Sequence, residues 1–404
     1  MFGMYRVYED GKLIAEQKNK LTLLGRSNAL STMLGLTQSF AGSFGIGVSP
    51  LTNGSSTYLD MTDLDFNVGK YPITATSLGT TGTQDALVYT TRITDPSRYS
   101  IYELGLFSNQ ISGSVDVDAL TLLNFESGDA IKETVGSPAV DYYLDDPNST
   151  FVSGKKSTVL TDSINYRIGS NAVKLLTGGT IFANDATVDL SSFYNFDSVK
   201  LAFFCAGPVT TTIKFNNGLN YASYTFAYTP TTIAVTNYIG NGTTTATITT
   251  TSSHGLTTGD TVHIVGGTGT EQTKFNGVWT VASTPTPTTF TVILLSIVTT
   301  GTYTTNLGTL TKGGYVVLSK LKSDPATVSG TVDWSSIDRI DITISGGTAG
   351  ISYAILDGLR IQKTKPTDSI DGLVSRAVLT TPILKEAGSI IDIEYLLVFT
   401  MDVT

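Results

Sequence analysis

Apolar and polar residues alternate along most of the chain, and this pattern predicts short β-strands. Residues 5–19 alternate on both sides of Asp10-Gly11, a dipeptide that favours a two-residue hairpin turn. Further strand-like runs lie at 44–49, 86–93 and 100–108. The last run is apolar on both faces except at Glu103, which predicts a strand in the centre of a sheet. A buried carboxylate needs a hydrogen-bonding partner, and we expect Arg26 or Arg92 to supply it.

One segment, residues 22–35, has helical rather than alternating spacing. Its apolar side chains recur at near-helical intervals, at Leu23, Leu24, Leu30, Met33 and Leu34. This periodicity predicts a helix of about three turns with one apolar face.

Changes in pattern divide the chain into five segments. Residues 1–119 contain the hairpin, the helix and the first strands. Residues 120–228 and 313–366 carry short strand-like runs separated by turn clusters, at the spacing typical of a β-sandwich. Residues 229–312 differ from both, and residues 367–404 return to the style of the first segment. We therefore predict a mainly β protein with a discontinuous base domain that carries one helix, and with an interrupted sandwich.

The segment that interrupts the sandwich is rich in threonine. Residues 229–312 hold 30 threonines in 84 residues and only four charged residues. Aromatic and β-branched residues recur among the threonines, so the segment contains enough core-forming side chains to fold. We predict one small all-β module of about six strands.

Charge and composition limit the partners. The formal net charge is −9, and no basic block occurs. These features argue against binding to nucleic-acid phosphates or to an anionic membrane surface. The N-terminus lacks the features of a signal peptide, and no apolar run is long enough to cross a bilayer. We therefore expect a soluble protein without a signal peptide, membrane insertion or a nucleic-acid partner.

The residues that most often carry chemistry are few. Cys205 is the only cysteine, and its apolar surroundings predict a small buried hydrophobe rather than a nucleophile. His254 and His263 are the only histidines. Zinc needs a third and usually a fourth ligand, and no cysteine or carboxylate cluster flanks this pair. We predict that His254 lies in a turn and that His263 faces solvent from the next strand.

Carboxylate pairs are the remaining candidates for catalysis. Asp145 with Asp146, and Asp338 with Asp341, could in principle serve glycoside hydrolysis. A loop position and a solvated strand face explain the two pairs more simply. No nucleophile elbow or phosphate-binding loop accompanies them. We therefore expect no catalytic activity.

Two sets of residues are candidates for binding. If the first and last strands of the sandwich pair, Glu126 and Asp357 approach each other and could hold a calcium ion together with loop carbonyls. The alternative is that each caps a strand end or pairs with lysine or arginine. Tyr142, Tyr143 and Tyr194 are expected in loops, where they could stack on sugar rings. Tyrosine also occupies protein surfaces for other reasons, because it is amphipathic.

The two ends of the chain resemble an attachment domain of tailed-bacteriophage structural proteins, including fibre and collar components. The resemblance rests on YRVYEDGKLIAEQKNKLTLLGRSNALSTML, FGIGVS and SIYELGLFS, and on SRAVLTTPILKEAGSIIDIEYLLVF near the C-terminus. In that family the last stretch follows soon after the third. Here about 260 residues intervene, which implies an insertion within the domain.

The inserted segments have their own resemblances. NFES, VDLSSFYNFDSVKLAFF, DWSSIDRIDITIS and YAILDGLRI resemble the jelly roll of carbohydrate-binding modules. In such modules calcium often lies between the first and last strands, which implies calcium at Glu126 and Asp357. SSHGLTTGDTVHIVGG, FNGVWTVAS and TTFTV in residues 229–312 resemble a small Ig-like module of phage virion proteins.

These resemblances imply a non-enzymatic structural protein of a phage virion, assembled in the host cytoplasm. Its partners would be other virion proteins of the capsid, neck or tail. The helix and the final run IIDIEYLLVF are strongly apolar, so we expect the base to form a homo-oligomer, as a trimer. The alternatives are an adhesin that recognises a host-surface glycan and, with less support, a glycan depolymerase.

Overall fold

The computed structural model describes residues 2–19, 21–34, 40–50, 63–82, 84–108, 119–123, 125, 131–133, 140–143, 155–156, 168–169, 172–184, 187–363 and 372–399. For residues 33, 119–121, 131–133, 140–143 and 155–156 the description covers the backbone alone. The fold of this part is mainly β, as predicted. None of its helices has the length and apolar character needed to cross a bilayer.

The first segment contains α1 and seven described strands. In chain order they are β1 (Phe2–Glu9), β2 (Lys12–Asn19), α1 (Leu23–Met33), β3 (Ser43–Gly47), β4 (Asn67–Pro72), β5 (Ala75–Thr81), β6 (Gln84–Ile93) and β7 (Tyr99–Phe107). The predicted hairpin is confirmed, because β1 pairs with β2 around Asp10 and Gly11. Both turn residues have positive φ, 48° and 80°, which is why the sequence places aspartate and glycine there.

Nine strands follow before the threonine-rich segment. They are β8 (Ala119–Leu123), β9 (Ile131–Glu133), β10 (Val140–Tyr143), β11 (Lys155–Lys156), β12 (Ala172–Leu176), β13 (Thr180–Ala183), β14 (Ser198–Ala206), β15 (Val209–Asn217) and β16 (Asn220–Tyr228).

The threonine-rich segment forms eight strands rather than about six. They are β17 (Thr232–Ile233), β18 (Val235–Gly240), β19 (Thr245–Thr250), β20 (Thr261–Val265), β21 (Gly277–Thr286), β22 (Thr289–Ile293), β23 (Gly301–Tyr303) and β24 (Thr309–Lys312), with a short 3-10 helix at Gln272–Phe275. The extra strands are short pieces, such as β17 and β23, that add to the sheet without a long alternating run to signal them.

Six strands complete the chain. They are β25 (Gly314–Leu321), β26 (Thr327–Ser329), β27 (Arg339–Ser345), β28 (Tyr353–Gln362), β29 (Leu373–Lys385) and β30 (Ile391–Val398).

Two sheets built from both ends of the chain form what we call the base. One has the strand order β2-β1-β30-β6-β5, and the other has the order β29-β7-β3-β4. β29 of the C-terminal segment pairs with β7 of the first segment. β30 lies instead between β1 and β6 in the other sheet. An apolar core fills the space between the sheets, with Tyr5, Phe44, Leu104 and Ile393 among its members.

Two further sheets form a sandwich. The first has the order β11-β10-β12-β28-β14-β25, with β8 also on β28, and the second has the order β26-β16-β15-β27-β13-β9. Their facing apolar side chains share one core, to which Phe203, Cys205 and Ile213 belong. Cys205 is fully buried, as expected, and burial raises the pKa of its thiol to about 12. The eight threonine-rich strands form a sheet with a separate apolar core.

The base and the sandwich are in direct contact. Phe66 of the base packs against Ala202 and Phe204 on the outer face of the sandwich sheet. Lys200 pairs with Asp65, and the side chain of Gln362 donates a hydrogen bond to the carbonyl of Leu64 at 2.8 Å. The chain also leaves and re-enters the base at one point, because Ser108 and Gly372 are hydrogen-bonded to each other.

Candidate functional site

The strand pairing on which the calcium prediction depends is present. β8, which ends three residues before Glu126, pairs with β28, which contains Asp357. Asp357 is the extra residue of a β-bulge, because Leu356 and Gly358 pair with consecutive residues of β14. Its carboxylate is fully buried and accepts a hydrogen bond from the backbone of Ile168 at 3.4 Å.

Asp357 therefore lies, buried, on the strand where the calcium prediction expected it. Glu126 lies outside the described residues. Among the residues that the structure describes, no three His, Cys, Asp or Glu side chains form a cluster able to hold a metal ion. Calcium at this position stays a prediction.

The three tyrosines proposed for sugar stacking occupy two different settings. Tyr142 and Tyr143 were expected in a loop, but their backbone belongs to β10. Their side chains lie outside the description. Tyr194 does lie in a loop, between β13 and β14, and 65% of it is exposed.

Tyr194 forms an exposed aromatic ledge with Phe196. The sequence analysis did not predict a role for Phe196. The two rings stack with centroids 5.4 Å apart and planes 20° from parallel, and Phe196 is 45% exposed. The two residues are two positions apart, the spacing that places side chains on one face of an extended segment, so this spacing is the signal from which the pair could have been found. Exposed stacked rings of this kind present a flat apolar surface to solvent.

Buried contacts hold the loop beneath this ledge. The ammonium group of Lys322 donates hydrogen bonds to the carbonyls of Leu190 and Phe193, at 2.8 and 2.6 Å. It also lies 4.7 Å from the ring centroid of Trp334. Burial lowers the pKa of Lys322 below its ordinary value. The carboxylate of Asp197 accepts a hydrogen bond from the backbone of Tyr194 at 2.7 Å, so the loop is fixed at both ends.

The prediction that His263 faces solvent is wrong. Its ring is buried between the threonine-rich sheet and the sandwich, 3.5 Å from the hydroxyl of Thr311 and 3.3 Å from that of Ser352. Alternation marked it as opposite to its apolar neighbours, but the sandwich covers that second face. His254 lies in the loop between β19 and β20, where it is buried and its Nδ1 accepts a hydrogen bond from the backbone of Leu256 at 2.9 Å.

The predicted partner of Glu103 is also wrong. Its carboxylate pairs with Arg376 rather than with Arg26 or Arg92, and both side chains are fully buried. Arg376 lies on β29, which is adjacent to β7 only in the folded protein. Arg92 instead pairs with Asp392 on the outer face of the base.

Of the two carboxylate pairs considered for hydrolysis, the structure describes one, and both of its members are hydrogen-bonded within the fold. Asp338 accepts a hydrogen bond from the backbone of Gly218 at 2.8 Å. Asp341 accepts hydrogen bonds from Arg339 and from Asn216. Asp145 and Asp146 lie outside the described residues.

A polar cleft on the base was not predicted from the sequence. It lies on the outer face of the sheet, where β1, β30 and β6 are neighbours, and has a volume of about 500 Å³. Its lining includes Tyr8, Arg92, Asp392 and Glu394. These residues come from opposite ends of the chain and belong to no short motif. Only the strand order could reveal them.

Comparisons with known proteins give no family assignment. No family model matches the chain, and no curated protein matches it. Among solved structures, a phage phi92 endosialidase is 15% identical with a TM-score of 0.18, over 72% of this chain and 31% of that one. A subviral particle of infectious bursal disease virus VP2 is 10% identical with a TM-score of 0.09, over 98% of this chain and 65% of that one. Both TM-scores are too low for either likeness to bear on fold or function.

Proposed function

We propose that this chain is a non-enzymatic structural protein of a tailed-phage virion. It would serve as an appendage of the head, neck or tail, such as a fibre or a decoration. The base would attach it to other virion proteins, and the sandwich and the threonine-rich module would project outward. In this proposal the protein folds in the host cytoplasm and joins the particle there.

The arrangement of the base is the observation that carries this proposal. β29 and β30 follow β7 by more than 260 residues, yet they complete the two base sheets. The chain leaves the base at Ser108 and re-enters it at Gly372, which is hydrogen-bonded to Ser108. A body closed by both chain ends with a large excursion suits an anchored projection, and it agrees with the sequence resemblance to phage attachment domains.

The test is to locate the chain in purified particles. We expect mass spectrometry to detect it, and electron microscopy to show a projection that shortens when residues 230–311 are replaced by a Gly/Ser linker. The base is intact in that variant, so the remaining projection should stay attached. Absence of the protein from purified particles would refute the proposal.

A glycan-binding adhesin is the second candidate, and the Tyr194–Phe196 ledge favours it. Flat apolar rings in a rigid loop are suited to stacking on sugar rings, because little conformational entropy is lost on binding. On a glycan array, we expect the full chain to retain at least one ligand that Tyr194→Ala loses. Leu219→Ala is the matched control, because Leu219 is also highly exposed but has no stacked neighbour in the described part of the chain.

The same preparation can test the absence of catalysis. We expect host-surface polysaccharide to keep its chain length after incubation with the protein. Cleavage would support the hypothesis of a glycan depolymerase and contradict the non-enzymatic proposal.

A further inference from the structure

The polar cleft on the outer face of the base has walls from several elements. Its floor is formed by β1, β30 and β6, the hairpin turn at Gly11 borders it, and Thr74 before β5 lies in the lining. Residues on the opposite face of the same strands, such as Val7 and Ile393, are buried in the base core. The cleft is therefore built on a rigid sheet rather than on a free loop.

The charged side chains of the cleft are hydrogen-bonded to neighbours but keep some hydrogen-bonding capacity. Both Nε and a terminal nitrogen of Arg92 donate to the carboxylate of Asp392, at 2.7 and 3.0 Å. The hydroxyl of Tyr8 donates to Glu394 at 2.9 Å. Burial, followed by this hydrogen bond, raises the pKa of Tyr8, so its hydroxyl stays a donor to Glu394. A carboxylate has about four acceptor positions, so Asp392 and Glu394 retain free lone pairs.

The threonine hydroxyls of the lining already donate hydrogen bonds to backbone carbonyls. Thr74 donates to the carbonyl of Thr90 at 3.1 Å, and Thr90 donates to the carbonyl of Ala75 at 3.2 Å. Each hydroxyl then offers only its oxygen lone pairs. Hydrogen-bond acceptors thus outnumber donors in the cleft, and the remaining N–H groups of Arg92 are its main donors.

The lining also carries a net negative charge, which favours the same kind of ligand as its excess of hydrogen-bond acceptors. Asp392 and Glu394 carry two negative charges, and Arg92 carries one positive charge. Arg6 lies on the same face outside the lining, opposite Glu394 in the pairing of β1 with β30, and forms an ion pair with Glu16 at 2.8 Å. A ligand that donates several hydrogen bonds and carries positive charge complements both properties.

We propose that this cleft binds an organic cation through its ammonium or guanidinium group, with Glu394 and Asp392 as the accepting carboxylates. The cation would be either a lysine or arginine side chain of a protein partner or a free polyamine. The volume of about 500 Å³ exceeds that of one side-chain end group, so it also admits the chain that carries the group. This inference does not depend on the virion role proposed above.

Calorimetric titration of the full-length protein at low salt tests the proposal. The probes are spermidine, capped lysine amide and, as a neutral hydrogen-bonding control, glucose. We expect saturable binding of at least one cation, weakened by added salt because the contact is between charges. Glu394→Gln should weaken it by about tenfold or more, since a hydrogen bond to a charged group is worth roughly 1.5–3 kcal/mol.

A matched variant separates the cleft from the general acidity of the sheet. Asp85→Asn removes an exposed carboxylate from β6 of the same sheet without altering the lining, so cation binding should be unchanged. Equal unfolding midpoints would show that both variants are folded. Binding of spermidine alone would identify a free amine as the ligand, and binding of capped lysine would identify a protein side chain. Failure of both cations, equal binding of glucose, or an unchanged Glu394→Gln variant would overturn the proposal.

Discussion

Several hydrogen-bond donors converge on the buried carboxylate of Glu103 inside the base. Arg376 approaches from β29, and the backbone N–H groups of Asp65 and Phe66 donate to the two carboxylate oxygens at 2.9 and 3.0 Å. The carboxylate thereby ties the connection before β4 to the middle of β7. Removing one member of such a buried pair leaves the other charge without compensation.

We expect Arg376→Ala to lower the free energy of unfolding by about 3–5 kcal/mol, the usual cost of breaking a buried pair. Arg92→Ala is the control, because Arg92 and Asp392 form an exposed ion pair whose loss should lower stability far less. Chemical denaturation measures both. Equal losses in the two variants would mean that the buried pair contributes no more than a surface one.

His263 makes the stability of the molecule depend on pH. Burial lowers its pKa from 6.5 to about 4, so the folded protein binds this proton less readily than the unfolded chain. Above pH 6.5 the ring is neutral in both states and has no effect. As pH falls from 6.5 towards 4, the unfolded chain gains the proton first, and stability is lost.

The stability advantage of the wild type over His263→Gln should therefore shrink as the solution is acidified. Between pH 7.5 and pH 5 we expect the difference in unfolding free energy to fall by about 1–2 kcal/mol. Using the difference between the two proteins removes the contribution of carboxylates that titrate in both. A difference that stays constant over this range would show that the ring is solvated.

At the scale of elements, α1 was predicted correctly as a helix, and most of the leucines from which it was predicted are exposed. Gly25, Asn28 and Ala29 lie on its buried side, and a side chain at Gly25 would collide with the carbonyl of Val374 in β29. Close approach of the helix backbone to β29 requires small residues there. The leucines at 23, 30 and 34 are consequently left on the exposed side, where Leu30 is 62% exposed.

The final strand differs from the helix in this respect. The apolar residues of β30, including Leu396 and Val398, are buried within the base. These side chains are therefore not available to an interface, and the expectation that the final strand contributes to self-association is wrong. The exposed leucines of α1 still favour self-association, because a row of apolar side chains in water marks an interaction surface.

We expect the intact protein to self-associate through α1, as a trimer, and Leu30→Lys to shift it towards monomer in sedimentation experiments. Leu295→Lys is the control, because Leu295 is even more exposed but lies in the threonine-rich module. A wild-type protein that is monomeric at tens of micromolar would contradict this expectation. So would an equal effect of the two substitutions.

At the scale of the whole molecule, the threonine-rich module has two features. Its two ends lie side by side, as in an insertion, and it also packs against the sandwich. Lys312 donates a backbone hydrogen bond to Thr231 at 3.1 Å, so the entry and exit of the module are adjacent. Its His263 ring meanwhile packs on Gly207 of the sandwich, which has a φ of 91° and leaves no space for a side chain. The module is thus both separable along the chain and held against its neighbour.

Replacing residues 230–311 by a short Gly/Ser linker should leave the sandwich folded, because the joined ends are already close together. We expect cooperative unfolding to persist in calorimetry, with a modestly lower midpoint because the contact surface becomes exposed. In the full chain, Gly207→Ala should weaken the contact without removing the module. Loss of all cooperative unfolding after excision would mean that module and sandwich are one merged domain.

The sequence by itself determined what depends on neighbouring residues. The Asp10-Gly11 hairpin, the existence of α1, the central position of β7 and the mainly β fold all follow from local periodicity and turn chemistry, which act over a few residues. The tertiary structure decided which faces those elements bury and which distant residues meet. Arg376 reaches Glu103, the sandwich covers His263, and Tyr8 joins Glu394 in the cleft only because strands hundreds of residues apart become neighbours. Strand order sets those contacts, and no local pattern records it.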